Sequence, residues 1–389
     1  MVVTIVVLLI LAGISLNLVL GQNGIITKAQ EARDKTEQAR INTEKSMNSL
    51  EQELSDYVNK IDSGNGGNSG GGSSSGSDYD PASEGVPIPS GFVYVGGTKA
   101  SGLVISDAAA DKEKYKGQTT VGTDLVGNQF VWIPVENIAD YKRAAYVANV
   151  ATGTTDTTTN SEQIKASSSS NFYYTEALPE DEKTSVEKNK GYYIGRYEAG
   201  DKESTEATPP TFRTSSSSTS NTITVKAGQA PYNYIKYTDA KSLAEGFSTK
   251  QGYTSVKSKL VSSYAWDTAI AFIQKTNSDY GNSSEEGNYN NSPTFTYTGI
   301  ADTEKNKQTK ANGTSTLIPT GQTTAVNNIY DMGGNVWEWT TESYSYTYDP
   351  YTYRGGDYGL NFAGSPAGDR SYFSDDASVN FGFRCTLYL

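Results

Sequence analysis

Histidine is absent from the 389 residues and cysteine occurs once, at Cys385. Without imidazole there is no Ser-His-Asp or Cys-His activation of a nucleophile, and no His-ligated zinc, copper or non-haem iron. One thiol can neither close an intrachain disulfide nor build a cysteine-cluster metal site. Positive charge is also scarce: 32 Lys and Arg face 44 Asp and Glu, a net charge of −12 with no basic run. Such a chain repels phosphate backbones, so nucleic acid is not an expected partner. What remains is oxygen chemistry from carboxylates, amides, hydroxyls and carbonyls, a donor set that suits Ca²⁺. Tyrosine is abundant, 28 against 11 Phe and 4 Trp. With Gly, Ser, Thr and Asn it makes a palette suited to wet, adaptable binding loops, and equally to a large domain with much irregular structure.

Residues 1–20 carry no charge and are long enough to cross a bilayer as a helix. They lack the basic n-region and short apolar core of a secretory signal. Residues 1–24 are therefore read as an uncleaved membrane anchor. The alternatives are a signal peptide cleaved near Leu20 to Gln22, or a buried core helix. Lys28 and Arg33 follow the span and no positive charge precedes it, so charge asymmetry does not give the orientation. A helical stalk is expected over 25–61, where Met47, Leu50, Leu54, Tyr57 and Ile61 recur at heptad spacing. Residues 62–86 are dense in Gly and Ser and read as a flexible tether, leaving a head over 87–389.

Within the head, strand-like runs occur at 91–95 (GFVYV), 129–135 (QFVWIPV) and 191–198 (GYYIGRYE). Polar stretches at about 151–171 and 203–222 read as surface loops or insertions, and 276–325 as loop. Two helices are expected. One runs over 238–247 with Ala240, Leu243, Ala244 and Phe247 on one face; the other runs over 263–275 with Trp266, Ala269, Ile270 and Ile273 on one face. The densest motif is NNIYDMGGNVWEWTT at 327–341, where Gly333 and Gly334 permit a tight turn and Trp337, Glu338 and Trp339 alternate as on a strand. Arg354-Gly355-Gly356 and Phe381-Gly382-Phe383-Arg384-Cys385 follow.

These markers, in this order, resemble the formylglycine-generating-enzyme-like (sulfatase-modifying-factor) domain, a branch of the C-type lectin fold, over residues 87–389. The stretch LVSSYAWDTAIA at 260–271 is similar to that family's Trp-bearing helix. The resemblance implies an α+β chain: a long N-terminal helix, a Gly/Ser tether and a C-type-lectin-like head. It also implies, for the family's enzymes, two cysteines between the Arg-Gly-Gly turn and the Gly-Phe-Arg ending that bind copper and oxidise a substrate cysteine. That interval, 357–381, holds no cysteine here. No copper is expected, and Cys385 reads as a buried small side chain. The family's calcium site next to the Gly-Asn-x-Trp-Glu motif, carried over, implies Asp331 and Glu338 as side-chain ligands with Gly334 and Val336 giving carbonyls, a structural Ca²⁺.

The N-terminal run LLILAGISLNLVLGQNGIITKAQEA resembles prepilin-like helices of Gram-positive type, without their cleavage site or the acidic residue near their mature N-terminus. Together these features imply a protein of the cell surface of a Gram-positive-type bacterium, membrane-anchored through residues 1–20 or pilus-associated through a pilus-type assembly. The expected role is non-catalytic display or adhesion, with an extracellular glycan or protein as the ligand. The expected ligand face comprises Tyr344, Tyr346, Tyr353, Asp357, Tyr358, Asn361, Phe362, Asp369, Arg370, Tyr372, Phe373, Asp375 and Asp376. Residues 354–381 also resemble the variable stretch of lectin-fold proteins diversified by retroelements. The alternatives are a structural minor pilin or pseudopilin and, more remotely, an active oxidase.

Overall fold

The computed structural model describes residues 79–146, 163–166, 171–216, 222–301 and 307–389. All of them fall in the unit Ser75–Leu389. The expected anchor, the stalk and tether residues 62–78 lie outside the described residues, and among the described residues no helix is long and apolar enough to cross a membrane. Residues 79–86, which the sequence assigned to the tether, are part of the head. A 3₁₀ turn at Pro81–Glu84 is capped by Asp80, and Val86 is buried in the core.

The chain runs through β1 (Val93–Gly96), β2 (Val104–Ser106), β3 (Gln129–Pro134), β4 (Gln163–Lys165), β5 (Tyr173–Thr175) and helix α1 (Glu180–Asn189). It continues through β6 (Gly191–Gly195), β7 (Gly200–Asp201), the short α2 (Lys202–Glu206), β8 (Ile223–Thr224), α3 (Tyr237–Gln251), β9 (Lys257–Leu260) and α4 (Ser263–Ile273). The last part holds β10 (Phe295–Thr298), β11 (Lys307–Lys310), β12 (Trp337–Tyr344), β13 (Tyr351–Arg354), β14 (Arg370–Phe373), β15 (Phe381–Phe383) and β16 (Cys385–Tyr388). The hairpin β10–β11 and the short α2 fall in stretches the sequence marked as loop.

One sheet has the order β1-β2-β3-β6-β16-β9, antiparallel throughout. Along β3, Phe130 and Trp132 enter one apolar core while Val131 and Ile133 enter another, so the strand is buried on both faces. The first core is closed by α3 through Ala240, Leu243, Ala244 and Phe247, a 3.6-residue stripe, and by Trp337 and Trp339. The second is closed by α4, which is buried nearly all round rather than on the one face expected.

The other sheet runs β14-β13-β12-β5-β4, and β15 lies parallel to β12, pairing Trp337 with Phe381 and Trp339 with Phe383. Since β15 belongs to the second sheet and β16 to the first, the chain changes sheets at Arg384. Its guanidinium donates to both oxygens of Glu338 at 2.9 and 2.6 Å, to the Gly195 carbonyl at 2.8 Å and to the Tyr330 carbonyl at 2.9 Å. One fully buried side chain thus ties both sheets and the central motif.

That motif is itself a latch. Asn327, Asn328, Asp331 and Asn335 all have φ between 50 and 61°, a region Asn and Asp tolerate better than most residues. The Asn328 side chain accepts from Val121 N at 2.9 Å and donates to the Gly102 and Thr119 carbonyls at 2.8 and 2.9 Å. Gly334 has φ +73°, and a Cβ there would sit 2.3 Å from the Asn288 carbonyl oxygen. The sequence's strongest signature is therefore backbone geometry that holds the fold.

Candidate functional site

Beneath the second sheet lies a buried ion network that fixes the C-terminal strands. Glu342 on β12 accepts from Arg143 and, through both oxygens at 3.1 Å, from Arg370 Nε on β14. Asp267 on α4 accepts from Arg354 Nη2 on β13 at 2.6 Å and from Arg370. Arg354 also donates to the Asp369 carbonyl at 2.8 Å, and Arg370 to the Ala144 carbonyl at 2.8 Å. Burial alone would raise the Glu342 carboxyl, but the three guanidiniums outweigh it and hold the group down at about 2.

Beside this network, Glu176 accepts from the Ser263 backbone N–H at 2.8 Å, at the start of α4, and from the Thr341 hydroxyl. Burial and the nearby Glu342 push its carboxyl up to about 8. The native state therefore holds a proton that the unfolded chain has lost well below pH 8. The stabilisation is full below about pH 4.5 and is lost as pH rises through about 8. Glu176→Gln keeps an acceptor for the N–H without a charge to bury. Between pH 5 and 9 the wild-type chain should lose on the order of a few kcal/mol more stability than this variant, read from urea midpoints.

On the other side of the network, β12, β13, β14 and β15 enclose a cleft of about 510 Å³. Trp337, Tyr353, Phe373 and Phe381 form its aromatic wall, with Trp337 and Tyr353 rings 4.8 Å apart and Phe373 and Phe381 5.3 Å apart. Asp357, Asp369, Ser365, Ser371, Ser378 and Asn380 supply the polar lining. Asp357 accepts from Gly359 N and from Asn380 Nδ2, both at 2.6 Å, and burial raises its carboxyl. The turn beneath it needs glycine: Gly356 has φ +74°, and a Cβ there would lie 2.2 Å from the Ser365 carbonyl oxygen. A larger hollow of about 730 Å³ is rimmed by Lys99, Glu136, Lys142 and Lys275, but Lys99 is already paired with Glu136 at 2.5 Å.

The residues expected at a ligand face divide. Tyr353, Asp357, Asp369, Arg370 and Phe373 do line the cleft. Yet Arg370 and Tyr353 are buried, Arg370 with its charge spent in the network and Tyr353 packed on Trp337, Trp339 and Phe381. Tyr344 is buried and stacked on Tyr372 at 3.8 Å, and Asp375 accepts from Thr238 N and Oγ1 at 3.0 and 2.8 Å, capping α3. Tyr353, Arg370, Tyr344 and Asp375 thus each already have partners within the head. Tyr372, Phe373, Asn361 and Asp376 are exposed; Tyr346, Tyr358 and Phe362 are half-buried. The Tyr358 hydroxyl reaches Asn380 Oδ1 at 3.4 Å, the Phe362 N–H donates to Asn291 at 3.1 Å, and Asp376 accepts from Ser374 Oγ at 2.9 Å. Trp337, Phe381, Ser365, Ser371, Ser378 and Asn380 were not expected in the cleft. The parallel pairing of β12 with β15 brings Trp337 and Phe381 together there, β14 adds Ser371 and the connecting loops add the rest, and no local pattern announces it.

The residues implied for calcium do not fit that ion as they stand. Glu338 spends both oxygens on Arg384, and Asp331 accepts from Gly321 N at 2.6 Å and Thr323 Oγ1 at 2.9 Å. A dication drawn to the Gly334 and Val336 carbonyls would meet a guanidinium at Glu338 in place of open carboxylate oxygen. Among the described residues no group of three or more Asp, Glu, Cys or His could hold a metal. Nor does the copper chemistry fit: Cys385 is buried on β16 and burial pushes its thiol far up. The native full chain should therefore resist labelling by iodoacetamide at pH 8, and the denatured chain should take one equivalent, read by intact mass.

Two sheets, antiparallel except where β15 joins β12, helices closing the cores, a chain that changes sheets at Arg384, and a cleft over the C-terminal strands define a formylglycine-generating-enzyme-like head of C-type-lectin fold. The chain belongs to the sulfatase-modifying factor enzyme 1-like domain family, whose model matches residues 135–388. Among solved structures it is similar to CarF (15% identity over 51% of this chain and 87% of that one, TM-score 0.32). It is similar too to PvdO from Pseudomonas aeruginosa (18%, 52% and 82%, TM-score 0.30) and to Treponema denticola variable protein 1 (13%, 69% and 98%, TM-score 0.34). No curated protein matches it in sequence.

Proposed function

We propose that the head is a non-catalytic binding module, displayed at the cell surface by the N-terminal segment, and that the cleft between β12, β13, β14 and β15 takes its extracellular ligand, a glycan or a protein. The observation that carries this reading is the cleft itself. It is a partly open space lined by aromatic rings, hydroxyls, an amide and carboxyl groups, with Phe373 exposed at its edge, while the chain's one thiol is buried in a strand. Aromatic walls give contact area at low entropic cost and the polar groups give orientation. Most of the lining comes from residues 354–381, so exchanges at the exposed Leu360 and Phe373 would retune the ligand without touching the ion network.

The test is a glycan and protein array screened with the full chain and with Ser371→Trp, which fills the cleft, each with calcium and with chelator. The expected result is a ligand held by the wild-type chain in both buffers and lost in the variant at unchanged melting temperature. No ligand at all, or equal retention by both chains, would count against the reading.

A further inference from the structure

The charges around the cleft are unequal in a way that specifies its ligand. Three ionisable charges line it: Asp357, Asp369 and Arg370. Arg370 brings no free positive charge, because Glu342 and Asp267 take its guanidinium on the far side. Asp357 holds its carboxyl group among aromatic rings, accepting from Gly359 N and Asn380 Nδ2 with the Trp337 side chain as a further donor, and no cation is among its bonded partners in the described residues. Trp337, Tyr353, Phe373 and Phe381 present ring faces and edges around the same space. Aromatic faces attract organic cations electrostatically, and a poorly hydrated carboxylate gains most from one. A net charge of −12 adds long-range attraction of the same sign.

Resting on the reading of this cleft as the ligand site, the geometry points to a cationic side chain, the ammonium of lysine or the guanidinium of arginine on a protein partner, as the group the cleft receives. The cation sits between the Asp357 carboxylate and the aromatic wall, with Phe373 at the mouth. A neutral group of the same shape gains the apolar contact but leaves Asp357 without its counter-charge. Burial raises the Asp357 carboxyl, consistent with a site that lacks its cation partner when empty.

The experiment titrates the full chain with N-acetyl-lysine methylamide, N-acetyl-arginine methylamide and the neutral isostere N-acetyl-citrulline methylamide, followed by Trp fluorescence and calorimetry. At least one cationic probe is expected to bind on the order of tenfold or more tighter than the citrulline probe. That preference should vanish in Asp357→Asn, which keeps an acceptor for Gly359 N, and weaken in Phe373→Ala, whose exposed ring can be removed without unfolding the head. Equal binding of all three probes, or a cation preference untouched by both variants, overturns the inference. If the array yields a ligand that Ser371→Trp loses while the probes show no cation preference, the cleft remains the ligand site and only its cationic specificity fails. If Ser371→Trp loses nothing, both fail together.

Discussion

Replacing Glu342 with glutamine should lower the stability of the head by about 3–5 kcal/mol, because one buried carboxylate faces three guanidiniums. Without it Arg143 loses the carboxylate it donates to, while Arg354 and Arg370 keep their pairing with Asp267. Ion pairs inside proteins contribute little net stability against an apolar replacement, but removing one partner leaves charge buried and unpaired. The loss should appear as a fall in melting temperature on the order of 10 °C. It should shrink at low pH. The Glu342 carboxyl is held at about 2 in the folded chain against 4.5 unfolded, so its contribution is complete above about pH 4.5 and disappears as pH falls through 2. A second change, Arg143→Met on the Glu342→Gln background, should return part of the loss, since it removes one of the stranded charges.

Arg384→Met should have an effect of similar size, about 3–5 kcal/mol, by the opposite imbalance. Arg384 is the cation that lowers the carboxyls of Glu198, Asp331 and Glu338, all buried; even so, burial leaves Glu338 up at about 7 and Glu198 well above the usual carboxylate range. Without the guanidinium these groups take up protons, and the Gly195 and Tyr330 carbonyls lose their donor. Because raised carboxyls stabilise the fold only while protonated, the deficit of the variant should widen as pH rises from 5 to 8. Urea midpoints across that range check it, and a deficit independent of pH would show that the lost hydrogen bonds matter more than the charges.

These two clusters explain what the sequence could show. The continuous apolar run of β3, the 3.6-residue stripe of α3 and the markers from 327 to 385 carry local signals, and the elements they imply are present. Helix α1 was not legible, because its sequence EDEKTSVEKN buries only Glu182, Ser185 and Val186 and has no apolar stripe. The ion network was not legible either. Arg143, Asp267, Glu342, Arg354 and Arg370 are spread over more than two hundred residues, and each alone looks like a surface charge. The burial of Arg370 was not legible, because charged residues ordinarily face water, a rule that fails where strands and a helix bring opposite charges together in the interior. The cleft was half legible. The aromatic and acidic composition of 353–376 pointed to it, but Trp337 and Phe381 read as fold markers until β15 was found beside β12.

The central claim is that this cleft holds a ligand and leaves it chemically unchanged. The most direct measurement binds an array-identified ligand to the full chain under air with copper present, then elutes it for mass spectrometry, with Ser371→Trp run in parallel. The account expects ligand of unaltered mass from the wild-type chain and none from the variant. A ligand of changed mass, or equal recovery from both chains, would contradict it.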